Sequence, residues 1–203
     1  DLVQWPQVLL AEKLAACLPP ALRSVYFVTS GSEAIEGALK LAKRYTGRTG
    51  IVAFHKAYHG GTHGVLSICG DERLKTAFRP LLPDITHIEF NRFEDLDQIT
   101  DKTACVVVET IQAEAGIILP EKDFIKAIQT KCHDTGALMI VDDIQMGMGR
   151  TGKLFSFEHF GIVPDILCLA KAFGGGMPLG AFISSREIMQ SLTHDPELGH
   201  ITT

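Results

Sequence analysis

Lys171 closes an almost wholly apolar run, Ile166-Leu167-Cys168-Leu169-Ala170, and three glycines stand close behind it at 174–176. A lysine leaving a buried strand is desolvated, which lowers the pKa of its amine. An amine in its free-base form can attack a carbonyl and form a Schiff base. The competing reading is a lysine whose stem covers apolar surface while its head reaches water, and this stretch alone does not separate the two. Asp142 ends a second apolar run, 137–141, and Asp143 follows it. Successive strand residues face opposite sides of the pleat, so one of these acids shares the side of Lys171. A buried carboxylate requires a cationic or hydrogen-bonding partner. That partner is either Lys171, in a structural ion pair, or a cationic ring nitrogen of a bound molecule.

Three other groupings carry possible chemistry. Thr29-Ser30-Gly31-Ser32-Glu33 stands between a strand and a helix. Its first N–H groups, at Gly31 and Ser32, could hold a phosphate at the positive end of the helix dipole. Ser30 and Glu33 also have capping-box spacing, which needs no anion. The run from Gly147 to Lys153 satisfies both G-x-G-x-x-G and the first part of a P-loop, but Leu154 follows the lysine where magnesium binding needs a hydroxyl. Five residues separate the preceding strand from the first glycine, and no helix opens after the last, so a structural loop is the better account. His55, His59 and His63 recur every four residues, yet Gly60-Gly61 interrupts any helix that would stack them as zinc ligands. No metal site is expected, and no G-x-S-x-G elbow supports a hydrolase.

The elements that must position these residues follow from periodicity. Helical spacing is expected over 7–18, 31–45, 72–78 and 121–135, and strands over 24–28, 50–54, 86–90, 104–109, 137–141, 165–170 and 181–184. Apolar strands alternating with amphipathic helices predict an α/β fold with a mostly parallel sheet. Ligands of such sheets gather outside the C-terminal strand ends. Those ends carry Gly31 and Ser32, Tyr58 and His59, Glu109, Asp142, and Lys171. A phosphate cradle, a flat aromatic, a carboxylate and a lysine at one sheet edge together describe a pyridoxal phosphate site.

Composition fits that picture. The 203 residues are 46% hydrophobic and 21% charged, as in a folded globular domain. The formal net charge is −5 and no basic cluster exceeds Lys43-Arg44, which argues against nucleic acid or an anionic membrane as partner. Five scattered cysteines, mostly inside apolar runs, suggest free thiols in a reducing cytoplasm. A start at Asp1 and an abrupt stop at Thr203 suggest a piece of a longer chain.

The ordered motifs resemble those of the class III pyridoxal-phosphate aminotransferases, a group including acetylornithine, ornithine and 4-aminobutyrate aminotransferases. The resemblance rests on Thr29 to Ala34, on Val141 to Gln145 with the glycine loop 147–153, and on Pro164 to Lys171 with Gly174 to Gly180. It implies the type I aminotransferase fold, with residues 1–203 as its cofactor-binding large domain and sites shared in a homodimer. Pyridoxal 5'-phosphate is the implied cofactor: Lys171 would form the Schiff base and Asp142 would pair with the ring nitrogen. Gly31 and Ser32 would hold the phosphate, Tyr58 would stack on the ring with His59 beside it as a further cofactor-binding residue, and Gln145 would approach the ring's phenolic oxygen. Thr203 would reach the phosphate of the neighbouring subunit, and Glu109 and Glu114 would line the substrate side. The implied reaction moves an amino group from an ω-amino acid, diamine-type amino acid or amine to a 2-oxo acid. A glutamate-semialdehyde-type aminomutase and an inactive fragment are the alternatives. Gly61 stands where ornithine-type members carry arginine, Thr110 where proline is usual, Ala113 where glycine is common and Asp143 where glutamate is usual.

Overall fold

The computed structural model describes residues 3–192. Seven strands are β1 (Ser24–Val28), β2 (Gly50–Phe54), β3 (Ile85–Ile88), β4 (Thr103–Val108), β5 (Leu138–Asp142), β6 (Ile166–Leu169) and β7 (Gly180–Ser184). They form one sheet in the order β1-β7-β6-β5-β4-β2-β3. Pairing is parallel from β3 through β6, while β7 lies antiparallel to both neighbours, β1 and β6. The α/β class with a mostly parallel sheet is therefore as the sequence predicts.

Alternation along the strands sends side chains to two apolar layers. Val106, Val108, Met139 and Val141 pack on one face with Phe124 and Ile128 of helix α5 (Phe124–Thr135). Cys105, Val107, Ile140 and Cys168 pack on the other with Ala34, Ile35 and Ala38 of helix α2 (Gly31–Thr46). Every residue of β4, β5, β6 and β7 is buried. Coverage on both faces is why these strands read as unbroken apolar runs.

Local differences from expectation have local causes. Helix α1 runs Trp5–Cys17, with its proline in the first turn, where a missing N–H costs nothing. Helix α3 (His63–Ile68) was not anticipated, since six residues after Gly60-Gly61 are too few to show periodicity. The stretch 72–78 splits into α4 (Glu72–Lys75) and a 3₁₀ turn, Thr76–Phe78. Helix α5 begins three residues later than its periodicity suggests, because Asp123 takes a left-handed φ of 65°. A sixth helix, α6 (Arg186–Gln190), follows β7. The three histidines fall on a strand exit, a loop and the first residue of α3, so their spacing stacks nothing. The glycine loop after β5 is a series of turns leading into a 3₁₀ helix, Ser156–Phe160, which leaves both nucleotide motifs without their helix. No helix among the described residues is long and apolar enough to cross a membrane.

Candidate active site

The C-terminal ends of β1, β2, β4, β5 and β6 open at one sheet edge. The turn entering β7 joins them there because that strand is reversed. Together they enclose a cavity of about 340 Å³, the size of a small-molecule site.

One pole is the start of α2. Ser30 has extended backbone, and its Oγ accepts from Glu33 N at 3.2 Å, as a cap should. The reciprocal half of the capping box is displaced by one residue: Glu33 accepts from the N–H and hydroxyl of Thr29 at 2.6 and 2.5 Å. The N–H groups of Gly31 and Ser32 precede Ala34 N, the helix's first internal donor, so neither has a partner within the helix, and both residues line the cavity. Ser32 Oγ accepts from Gly61 N at 3.2 Å, which leaves its proton for an anion. Gly180 lets β7 approach this turn, since a Cβ there would sit 2.6 Å from the Ser30 carbonyl oxygen. A Cβ at Gly61 would meet nothing within 4 Å, so lack of room does not explain the missing arginine.

The other pole is Asp142, 5% exposed at the end of β5. Its Oδ1 accepts from Ile144 N at 3.1 Å and its Oδ2 faces His59 Nδ1 at 2.7 Å. Burial disfavours the charged imidazole, but the bond to Asp142 and the nearby carboxylates outweigh it and raise the pKa of His59. His59 Nε2 is buried without a hydrogen-bond partner. The partner required by Asp142 is thus His59, not Lys171. That pairing was not read from the sequence, although a histidine beyond the end of β2, two strands from β5, was the signal for it.

Lys171 lines the same cavity and donates from Nζ to Gln145 Oε1. Its side chain is exposed, so burial does not desolvate the amine as a strand end suggests. The chain leaves β6 at Leu169 and carries the lysine outward with a left-handed φ of 49°. Tyr58, 39% exposed, stands on the same cavity wall as His59.

Glu109 and Glu114 both line the cavity but differ in setting. Glu114 is exposed, whereas Glu109 is buried and accepts from Tyr58 N and Ala113 N, each at 3.3 Å. Burial pushes the Glu109 carboxyl up to about 7, with His59 opposing and Asp142 reinforcing the shift. Asp143 points to the far side of the pleat, where it accepts from Ser156 N at 3.0 Å and from the Ser156 hydroxyl. Ser156 Oγ lies 2.5 Å from Thr110 Oγ1. The departures at Thr110 and Asp143 are therefore joined through one buried serine. Burial pushes Asp143 up to about 6 against those hydrogen bonds. Thr203 lies outside the described residues.

The family model for aminotransferase class-III matches residues 2–203. The chain belongs to the class III aminotransferases. It is 42% identical over 187 residues to the acetylornithine aminotransferase of Methanopyrus kandleri, covering 92% of this chain and 48% of that protein. The same enzyme of Bacillus cereus is 43% identical over 187 residues, covering 91% of this chain and 48% of its own. Among solved structures, a thermostable (S)-enantioselective omega-transaminase from Thermomicrobium roseum superposes with a TM-score of 0.93 at 27% identity, over 99% of this chain and 51% of that one. An ornithine aminotransferase from Toxoplasma gondii superposes at 0.87 and 27% identity, over 96% of this chain and 47% of that one, and its active site holds PLP at partial occupancy. The fold is that of the type I transaminases. The class III chain described here spans about half the length of these relatives.

Proposed function

We propose that residues 1–203 form the cofactor-binding large domain of a pyridoxal-phosphate-dependent aminotransferase. One observation carries this reading. A capped helix start with free N–H groups, a buried, histidine-backed carboxylate and a lysine side chain all line one cavity. That donor set matches a molecule with a phosphate at one end and a protonatable ring nitrogen at the other, and the cavity volume suits its size.

When bound, the cofactor supplies an electron sink for the carbon that bears the migrating amine. This chain's residues do the rest. Gly31 N–H, Ser32 N–H and the Ser32 hydroxyl would hold the phosphate. Asp142 would keep a proton on the ring nitrogen, and His59 Nδ1 fixes that carboxylate in place. Tyr58 walls one ring face, and Gln145 holds Nζ of Lys171 near the reacting end. With the cofactor bound, Lys171 Nζ would be the amine that holds it and the base that takes the proton from the donor carbon. Glu114 faces the substrate side. The donor is an ω-amino acid, diamine-type amino acid or amine, and a 2-oxo acid is the acceptor. The exposure of Lys171, Tyr58 and Met177 supports a second copy of the chain as the outer wall, in a homodimer with Thr203 reaching the neighbouring site. Free cysteines, four of the five buried, support a cytoplasmic setting.

Borohydride reduction after adding pyridoxal phosphate should fix one pyridoxyl group per chain, on Lys171. Lys171→Ala should take up none and show no turnover with any donor and 2-oxo acid. A fixed label that survives this substitution overturns the assignment. Turnover that needs no 2-oxo acid would point instead to the mutase reaction.

A further inference from the structure

Both oxygens of Glu109 are engaged by the protein itself. Oε2 accepts from the backbone N–H of Tyr58, in the connection between β2 and α3. Oε1 accepts from the backbone N–H of Ala113, in the turn after β4 that is closed by the Gln112–Ile118 bridge. Gln112 Nε2 ties the same two segments again, donating to the His55 carbonyl at 3.0 Å. Tyr58 and the Ala113–Glu114 pair both line the cavity. A carboxylate offers acceptor oxygens in two directions, and an amide of the same shape offers only one.

We propose that Glu109 is a positioning residue that fastens these two cavity walls in one register, so that a single group sets both the ring-facing Tyr58 and the substrate-facing Glu114. What each wall holds rests on the functional reading above; the fastening itself does not. Once the carboxyl is ionised, above about pH 7, both of its oxygens accept, and hydrogen bonds to an ionised acceptor are stronger than neutral ones. They also join two loops that, among the described residues, carry no strand pairing of their own beyond the short Gln112–Ile118 bridge.

Backbone amide exchange in the cofactor-free chain tests the fastening directly. In Glu109→Gln, at least one of the Tyr58 and Ala113 amides should exchange about tenfold faster, while Val107 and Ile140 in the central strands stay protected. Glu109→Ala should release both. In the cofactor-loaded protein, Glu109→Gln should weaken pyridoxal phosphate binding and raise the donor KM together, each about tenfold, because both walls lose one anchor. Unchanged exchange at Tyr58 and Ala113 overturns the proposal, as does a donor KM that rises while cofactor affinity holds. If Glu109→Gln also loses protection at Val107 and Ile140, Glu109→Asp replaces it, since the shorter carboxylate keeps its charge but cannot span both amides. Loss of the central strands in both variants would make Glu109 a general folding residue and likewise overturns the idea. A wild-type chain that binds no pyridoxal phosphate would defeat the functional reading, and the exchange result would stand separately.

Discussion

At the scale of single residues, the polar groups of this chain are arranged in two tiers. Asp142 with His59 faces the cavity; Asp143, Ser156 and Thr110 lie one pleat step away, out of the cavity. Within the first tier Asp142 was legible, because a charged residue closing an apolar run has few tolerable positions other than a site, whereas its pairing with His59 was not. The second was not, because it joins positions 110, 143 and 156 that no local spacing connects. Lys171 shows the limit of local reading from another side. Its place after β6 was clear, but its left-handed backbone and its exposure depend on the glycine turn that follows. A non-glycine residue in that conformation carries strain of about 1–2 kcal/mol. Glycine at 171 removes the strain and alanine does not. Lys171→Gly should therefore be more stable than Lys171→Ala by about 1 kcal/mol in urea denaturation, with both variants inactive.

At the scale of elements, the start of α2 bears on both stability and binding. Ser30→Ala removes the cap on Glu33 N and should cost about 1 kcal/mol. Gly180→Ala places a methyl group 2.6 Å from the Ser30 carbonyl oxygen, a backbone atom that cannot swing aside. It should destabilise by about 2 kcal/mol and also weaken phosphate binding by displacing the turn. An intact affinity for inorganic phosphate or pyridoxal phosphate in Gly180→Ala would show that β7 does not set this turn. Strands β4 to β6 were readable as buried runs, since parallel strands covered on both faces have no polar side to confuse them. The reversal of β7 was not readable, because periodicity carries no direction. Helix α3 escaped notice through its length, and the start of α5 through one left-handed aspartate.

At the scale of the whole molecule, buried acids shape the response to pH. Glu109 titrates at about 7 and Asp143 at about 6, against ordinary values of 4.5 and 3.8. Burial is the leading cause in both, so the folded state holds protons that the unfolded chain has already released. Stability from these groups falls as pH climbs from the ordinary carboxylate range to about 7. His59, whose pKa is raised, acts in the same direction: its contribution is complete below the ordinary histidine value and is lost as pH rises through the folded one. Each unit of displacement is worth about 1.36 kcal/mol. The cofactor-free chain should melt roughly 5 °C higher at pH 5.5 than at pH 8, and Glu109→Gln should flatten that difference. A melting temperature independent of pH over this range would contradict the burial of both acids.

The reversed strand has one more consequence. Because β7 runs against β6, the segment from Ala170 to Leu179 leaves and re-enters the sheet at the same edge, between neighbouring strands. Its ends are held together by the sheet ladder, with short turns inside the segment, and doubling the length of such a closed segment costs only about 0.6 kcal/mol. Residues added at Gly175-Gly176, beyond the lysine, would reshape the mouth of the cavity and leave the ladder untouched. The molecule thus carries an adjustable aperture on a fixed frame, one that could change which molecules enter without the frame having to refold.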